Sequence, residues 1–521
     1  MDRYLEKHLL VMNSVVRTAQ RLQVLVVALL ALFFAYPVLS MLVKFARPQD
    51  IIDTLTAPSL REVWWFTLWQ AVASTALTLA VGLPFTWAIS RHTFRFSRLL
   101  IALITIPFFM PAVVVATGIK AILPAAGIPA ILWAHVVFNI AIVVRVVGPQ
   151  WSLLDKATED TAADLGAGPM RTFLYVVVPH IRDSLRNAAA IIFLFCFTSF
   201  AVVAILGDIS HRTIESEIFT QAIRLGDTRT ATSLALVQAV VVLLVLRWGN
   251  PASHESQSAP QTIQFLRESR TPFGLALFFS VAVPALVVVS PLIAVIIRSF
   301  TLNGHFSLRG YQWLFDGSTE AVGVNIPQTL MTSLFFAAIC AVLAPIAALI
   351  ISVAQRRSSI IAGITALPLA VSAVTFGLGL IIAFDQSPVN WRSQWWLIPV
   401  VHSVLALPLA VRAIRPALDA IPEDLSDAAA SLGAHPWRSW RHIELPLLKP
   451  ALVRAVGLSA AVSLGEFGAT SFLSRNDTTT IPIAIAQLLG RPGDVTSQSA
   501  FALAALVVIV FALAPQVRRR Q

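Results

Sequence analysis

The sequence is poor in charge. Asp, Glu, Lys and Arg make up 12% of its 521 residues, against about a quarter in ordinary soluble chains. With 57% hydrophobic residues and a mean hydropathy of +0.77, that scarcity excludes a solvated globular domain and indicates an integral membrane protein. There are only two cysteines, Cys196 and Cys340, both inside apolar runs, which excludes a secreted-type disulfide framework; they read as small packing groups. No Gly-x-x-x-x-Gly-Lys-Ser/Thr phosphate loop occurs, so no nucleotide cradle is expected in the chain itself. Clustered carboxylates, metal-spaced histidines and an activated nucleophile are also missing, which argues against a membrane-embedded enzyme. The formal net charge of +11 is spread in short pieces between apolar runs and not gathered on a solvated domain, so nucleic acid is not the expected partner.

What the chain has in abundance is long apolar runs. Crossing a hydrocarbon layer of about 30 Å takes roughly 20 mostly apolar residues in a helix. Twelve stretches pass: Leu22–Phe45, Trp65–Ser90, Leu99–Lys120, Trp133–Val147, Ala188–Leu206, Thr230–Arg247, Phe273–Ile297, Asn325–Ala354, Ile360–Phe384, Trp395–Ala413, Leu452–Phe472 and Ser497–Val517. The first has no small-residue cleavage site behind it and reads as a retained span. Placing both termini in the cytoplasm puts most basic residues on that side, including Arg91, Arg95, Arg98, Arg356, Arg357 and Arg518–Arg520, while acidic residues divide about evenly.

Two polar stretches between these runs read almost as one. "DTAADLGAGPMRTFLYVVVP" (Asp160 to Pro179) and "DAAASLGAHPWRSWRHIELP" (Asp427 to Pro446) agree at nine of twenty positions, 267 residues apart. The same shift aligns His135 with His402, Arg145 with Arg412, Ser199 with Glu466 and Thr213 with Thr480. Such a register implies an internal duplication: a first half, 1–247, a polar linker, 248–272, and a second half, 273–521, forming parallel six-span repeats. Each patch reads as a helix-turn-helix outside the bilayer. Its turn falls at Gly166 or Gly433, Pro169 or Pro436 begins the next short helix, and Pro179 or Pro446 begins the following span.

The pattern Asp-x-Ala-x-x-x-Gly, followed thirteen residues later by Pro, resembles the EAA loop of type I ABC importer permeases. Here the loops span about 151–182 and 417–449, with Asp160 and Asp427 where Glu is usual and Thr161 in place of the first Ala. The resemblance implies that Asp160, Ala162, Gly166, Pro179, Asp427, Ala428, Ala429, Gly433 and Pro446 form docking loops for two copies of a cytoplasmic ATPase subunit. That subunit, and not this chain, would bind ATP and Mg. It further implies an all-α type I permease fold in a bacterial inner membrane and an extracytoplasmic solute-binding protein as partner. "FTSFAVVAILG" (Phe197–Gly207), "TIESEIFTQAI" (Thr213–Ile223) and "SLGEFGATSFL" (Ser463–Leu473) are similar to segments of the fused permeases for thiamine and its phosphates. Fused iron(III) permeases share the length and the repeat, and a self-sufficient secondary transporter would need more intramembrane ionisable groups than these spans hold.

Polar residues at membrane depth are the candidates for the substrate pathway. Glu466 breaks the repeat symmetry opposite Ser199. It either attracts a cationic ligand such as a thiazolium ring or pairs with outer water or a neighbouring helix. His135 and His402 occupy equivalent places and serve either as ligands or as ordinary buried hydrogen-bonding rings. Lys120 is expected to snorkel at the end of its span. Pro107, Pro111, Pro368, Gly118, Gly377 and Gly379 mark distorted helices that either line a cavity or relieve packing.

Overall fold

A computed structural model describes residues 18–45, 47–92, 97–208, 210–249, 274–354, 368, 371–386 and 389–513. Most of the linker 248–272, the arginines at 95, 356, 357 and 518–520, and the first part of the expected span Ile360–Phe384 lie outside the described residues.

The first half of the sequence forms α1 (Thr18–Phe45), α2 (Pro48–Thr56), α3 (Pro58–Arg91), α4 (Ser97–Phe109), α5 (Ala112–Ile122), α6 (Ile128–Leu153), α7 (Lys156–Asp164), α8 (Pro169–Thr172), α9 (Val178–Phe197), α10 (Ala201–Leu206), α11 (Ile214–Phe219) and α12 (Thr228–Gly249). The second half forms α13 (Leu275–Ser299), α14 (Arg309–Phe315), α15 (Ile326–Ala354), α16 (Ala373–Phe384), α17 (Leu397–Asp419), α18 (Glu423–Ser431), α19 (Pro436–Ser439), α20 (Leu445–Gly465), α21 (Thr470–Leu473), α22 (Ile481–Leu489) and α23 (Asp494–Leu513). Strand pairing among the described residues is confined to two two-residue hairpins, Thr301–Leu302 with His305–Phe306 and Asp385–Gln386 with Val389–Asn390.

Nine helices among the described residues are long and apolar enough to cross a bilayer: α1, α3, α6, α12, α13, α15, α17, the continuous Pro436–Gly465, and α23. A tenth is α4 with α5, bent by 106° where Pro111 caps the second helix. Two expected spans fall short of that test. α9 carries Arg182, Asp183 and Arg186 in its first half, and the chain leaves the helix at Ser199–Phe200, so Ala188–Leu206 is an interrupted run. α16 is described over only twelve residues.

The chain separates into two compact units that do not follow its two halves. One unit combines α1 with residues 325–483; the other combines residues 47–324 with residues 484–513. Each half's first helix thus packs in the unit that holds most of the other half. Glycine permits both contacts. A Cβ on Gly379 of α16 would lie 3.1 Å from the Pro37 carbonyl oxygen of α1, and one on Gly118 of α5 would lie 2.3 Å from the Pro291 carbonyl oxygen of α13. Phe33, Phe34, Phe376 and Phe384 close the first contact, with Phe34 and Phe376 ring centres 5.4 Å apart. Gly377 serves packing in the same way: its Cβ would meet the Phe472 ring at 2.9 Å. Cys196 and Cys340 are free and fully buried.

Candidate functional site

The repeated loops coincide element by element. Lys156–Asp164 recurs as Glu423–Ser431 and Pro169–Thr172 as Pro436–Ser439, each 267 residues on. Both first helices end in the same turn. Gly166 N–H donates to Ala163 O at 2.9 Å and Ala167 N–H to Ala162 O at 2.9 Å; Gly433 N–H donates to Ala430 O at 2.9 Å and Ala434 N–H to Ala429 O at 3.0 Å. This double bond pattern needs a left-handed residue after the cap, and the two glycines supply φ of +83° and +80°. Asp160, Asp427 and Ala428 are exposed, and Ala429 is buried. The leucine before each glycine is turned outward: Leu165 is 84% exposed and Leu432 89%. Each copy thus presents one apolar side chain outward beside its turn. These leucines are among the nine identities of the repeat, which was the signal available in the sequence.

Pro179 and Pro446 do not begin a helix as the sequence suggested. Each follows a widened π-turn, Phe173–Val177 or Trp440–Glu444, inside a helix that starts at Pro169 or Pro436. Val178 N–H reaches back to Phe173 O, and Leu445 N–H to Trp440 O. A proline inside a helix lacks its N–H and crowds the carbonyl four residues earlier, and the wider turn relieves that clash.

His135 on α6 and His402 on α17 are buried in their separate units. His135 Nδ1 lies 2.8 Å from Ser74 Oγ on α3, and His402 Nδ1 lies 2.8 Å from Ser463 Oγ on α20. Those hydroxyls come from different helices of the repeat. Thr67 and Ser333 hold matching places, bonding Ile214 N–H at 3.0 Å and Ile481 N–H at 2.8 Å. That correspondence sets Ser74 against Cys340, and the 267-residue shift sets Cys196 against Ser463. Serine and cysteine have exchanged helices between the halves, so each histidine keeps a serine hydroxyl at Nδ1. In the unit of His135, Asn139 Nδ2 donates to the Cys196 sulfur at 3.4 Å and Gln70 Nε2 to Cys196 O at 2.9 Å.

Glu466 stands at the break between α20 and α21. Its Oε1 accepts from Ala469 N–H and its Oε2 from Thr470 N–H, both at 2.8 Å, and the Thr470 hydroxyl also donates to Oε2. Because that hydroxyl's proton points to the carboxylate, His402 Nε2 must donate its own to Thr470 Oγ1, 2.9 Å away. The structure thus joins Glu466 and His402, whose Nε2 and Oε2 are 3.6 Å apart. In the other unit Ser199 and Val203 hold the places of Glu466 and Thr470, and the chain Glu-Thr-His is absent there. Ser199 instead offers its carbonyl to Thr213 Oγ1 at 3.3 Å. Lys120 sits half-buried in the last turn of α5.

The sequence also held two carboxylates that its polarity pattern did not single out. Glu215 and Glu217, on α11, are both buried. Gln238 Nε2 donates to Glu215 Oε1 at 2.5 Å, while Arg212 and Gln221 donate to Glu217 at 2.8 and 2.7 Å. Pro482 and Ala484 occupy these positions in the second half.

Residues 342–520 match the family described as binding-protein-dependent transport system inner membrane component. A putative 2-aminoethylphosphonate transport system permease protein PhnV of Salmonella typhimurium (strain LT2) is 33% identical over 222 residues, 42% of this chain and 79% of that protein. The thiamine transport system permease proteins ThiP of Brucella abortus (strain 2308) and Brucella suis biovar 1 are 25% and 26% identical over 453 residues, 82% of this chain and 81% of theirs. The chain belongs to the binding-protein-dependent transport system inner membrane components. It is a multi-pass inner membrane permease of an ABC importer, a transport subunit that works with a separate ATPase and a binding protein.

Proposed function

We propose that this chain is the fused permease of a thiamine importer, carrying thiamine or its phosphates from an external binding protein to the cytoplasm. Likeness to thiamine permeases over 82% of the chain supports that substrate, since it takes in both halves, whereas likeness to the 2-aminoethylphosphonate permease takes in 42%. Two copies of the ATPase subunit bind, one at each repeated loop, with ATP and Mg held by those subunits. The observation that carries this is the identical turn of the two loops, each presenting one outward leucine. Both termini and both loops face the cytoplasm, as the basic residues favour.

His402 and Glu466 serve the pathway by holding its wall. The carboxylate caps the backbone at the break in α20–α21, and His402 fixes it from α17. His135 and Ser199 play the simpler part in the other unit. ATP hydrolysis by the reconstituted complex tests the reading: thiamine-loaded binding protein should stimulate it, and iron(III)- or 2-aminoethylphosphonate-loaded protein should not. Stimulation by one of those two and not by thiamine would reassign the substrate and leave the importer in place.

A further inference from the structure

Arg91, the last residue of α3, joins three helices at one point. Its Nη2 pairs with the carboxylate of Glu159 in the first turn of α7, and its Nη1 donates to Leu154 O, the carbonyl capping α6, at 2.8 Å. The pair is half-buried, with 13% of the arginine side chain and 24% of the glutamate side chain exposed. Glu159 is half-buried, whereas the other residues from Asp155 to Asp160 are exposed. It also lines a half-open cleft of about 300 Å³ beside the loop, bordered by Trp87 of α3, Trp151 of α6, Ala163 of α7 and Phe173. The loop therefore borders a cleft and is tied to the spans at the Arg91 corner.

The second loop is held differently. Ser426 stands where Glu159 stands in the first, and its hydroxyl donates to Glu444 of the following π-turn at 3.1 Å. That bond ties α18 to the helix that continues as the Pro436–Gly465 span, through a serine hydroxyl where the first loop has a carboxylate.

We propose that Arg91 is a positioning residue for energy coupling: its bonds to Glu159 and Leu154 make α7 move with α3 and α6, so the first loop transmits the ATPase stroke to these spans. A guanidinium suits the task. It is planar, permanently charged and able to bond a carboxylate and a helix-end carbonyl together, where lysine offers a single point charge.

This inference rests on the docking reading of the loops, and its test separates the two. The complete complex, with ATPase and binding protein, is reconstituted with Arg91→Ala, Arg91→Lys, Glu159→Gln and the exchange Arg91→Glu/Glu159→Arg. Hydrogen exchange over residues 156–166 and 423–433, ATPase retention and hydrolysis stimulated by thiamine-loaded binding protein are read on each. Arg91→Ala and Glu159→Gln should retain the ATPase but lose stimulation about tenfold, the scale of one charge-assisted bond. Exchange should rise over 156–166 and stay unchanged over 423–433. The charge exchange should recover only part of the loss, since a carboxylate at position 91 restores the ion pair but cannot donate to Leu154 O. Wild-type stimulation in Arg91→Ala, or equal rises in exchange at both loops, overturns the proposal. Loss of the ATPase from Arg91→Ala also overturns it, since the residue would then act in assembly. If the wild-type complex itself fails to respond to thiamine, the substrate reading falls and the hydrogen-exchange comparison still decides the tie.

Discussion

Replacing Glu466 by Gln separates a carboxylate that holds the pathway wall from one that binds a cationic solute. The carboxylate accepts three hydrogen bonds, from Ala469 N–H, Thr470 N–H and the Thr470 hydroxyl, with His402 Nε2 at 3.6 Å. Glutamine keeps one oxygen for the Ala469 side. Its amide NH2 then faces the Thr470 donors, two charge-assisted bonds are lost, and one backbone N–H is left opposite another donor. At about 1.5–3 kcal/mol for a bond to a charged group, partly recovered by the remaining oxygen, the cost is about 2–4 kcal/mol. For a unit of this size that lowers the melting midpoint by roughly 5–15 °C. The assay pairs thermal unfolding of the detergent-purified protein with uptake at several thiamine concentrations. A wall residue predicts a lower midpoint and a lower maximal rate with little change in the concentration giving half-maximal uptake. An unchanged midpoint with a large rise in that concentration would refute the reasoning and make Glu466 a ligand group.

Two further outcomes follow from the buried and loop residues. Ser74→Cys should destabilise the protein by about 1–2 kcal/mol by weakening the bond to His135, and adding Cys196→Ser should recover part of it, because the second half already uses that arrangement; thermal unfolding of the single and double variants checks this. His92, just past the end of α3, has its pKa lowered by burial and by the positive charges of Lys156 and Arg91. The unfolded chain therefore binds the proton more readily, and stability is lost as pH falls through the ordinary histidine range near 6.5 and below. His92→Gln should flatten that part of the pH dependence of unfolding; a profile unchanged by the substitution would exclude the residue as its source.

The duplication was legible because a constant shift of 267 residues survives in the helices from Lys156 to Glu444, and composition alone declared the membrane. The exchange of first helices was not legible. Periodicity says that α1 and α13 exist, but the packing of Gly379 on Pro37 and Gly118 on Pro291 depends on tertiary contacts that no local pattern encodes. The Ser/Cys exchange was hidden by a one-residue difference: a uniform shift of 267 sets Ser74 against Ala341, and only the bonds of Thr67 and Ser333 reveal Cys340 as its counterpart. Glu466 was visible as an intramembrane carboxylate, yet its partner His402 lies far away in sequence. Glu215 and Glu217 escaped notice because they sit in a short polar stretch between apolar runs and not within one. The prolines misled for a physical reason: Pro179 and Pro446 resemble helix starts unless the preceding turn widens to admit them.

The central claim is that the two repeated loops are the grip on the ATPase, and co-purification of that subunit with Leu165→Asp/Leu432→Asp tests it most directly. Both leucines are almost wholly exposed, so the substitutions should leave the melting midpoint within about 1–2 °C of wild type. The account predicts loss of the ATPase from the purified double variant and partial retention in each single one. Full retention of a coupled ATPase by the folded double variant would contradict it.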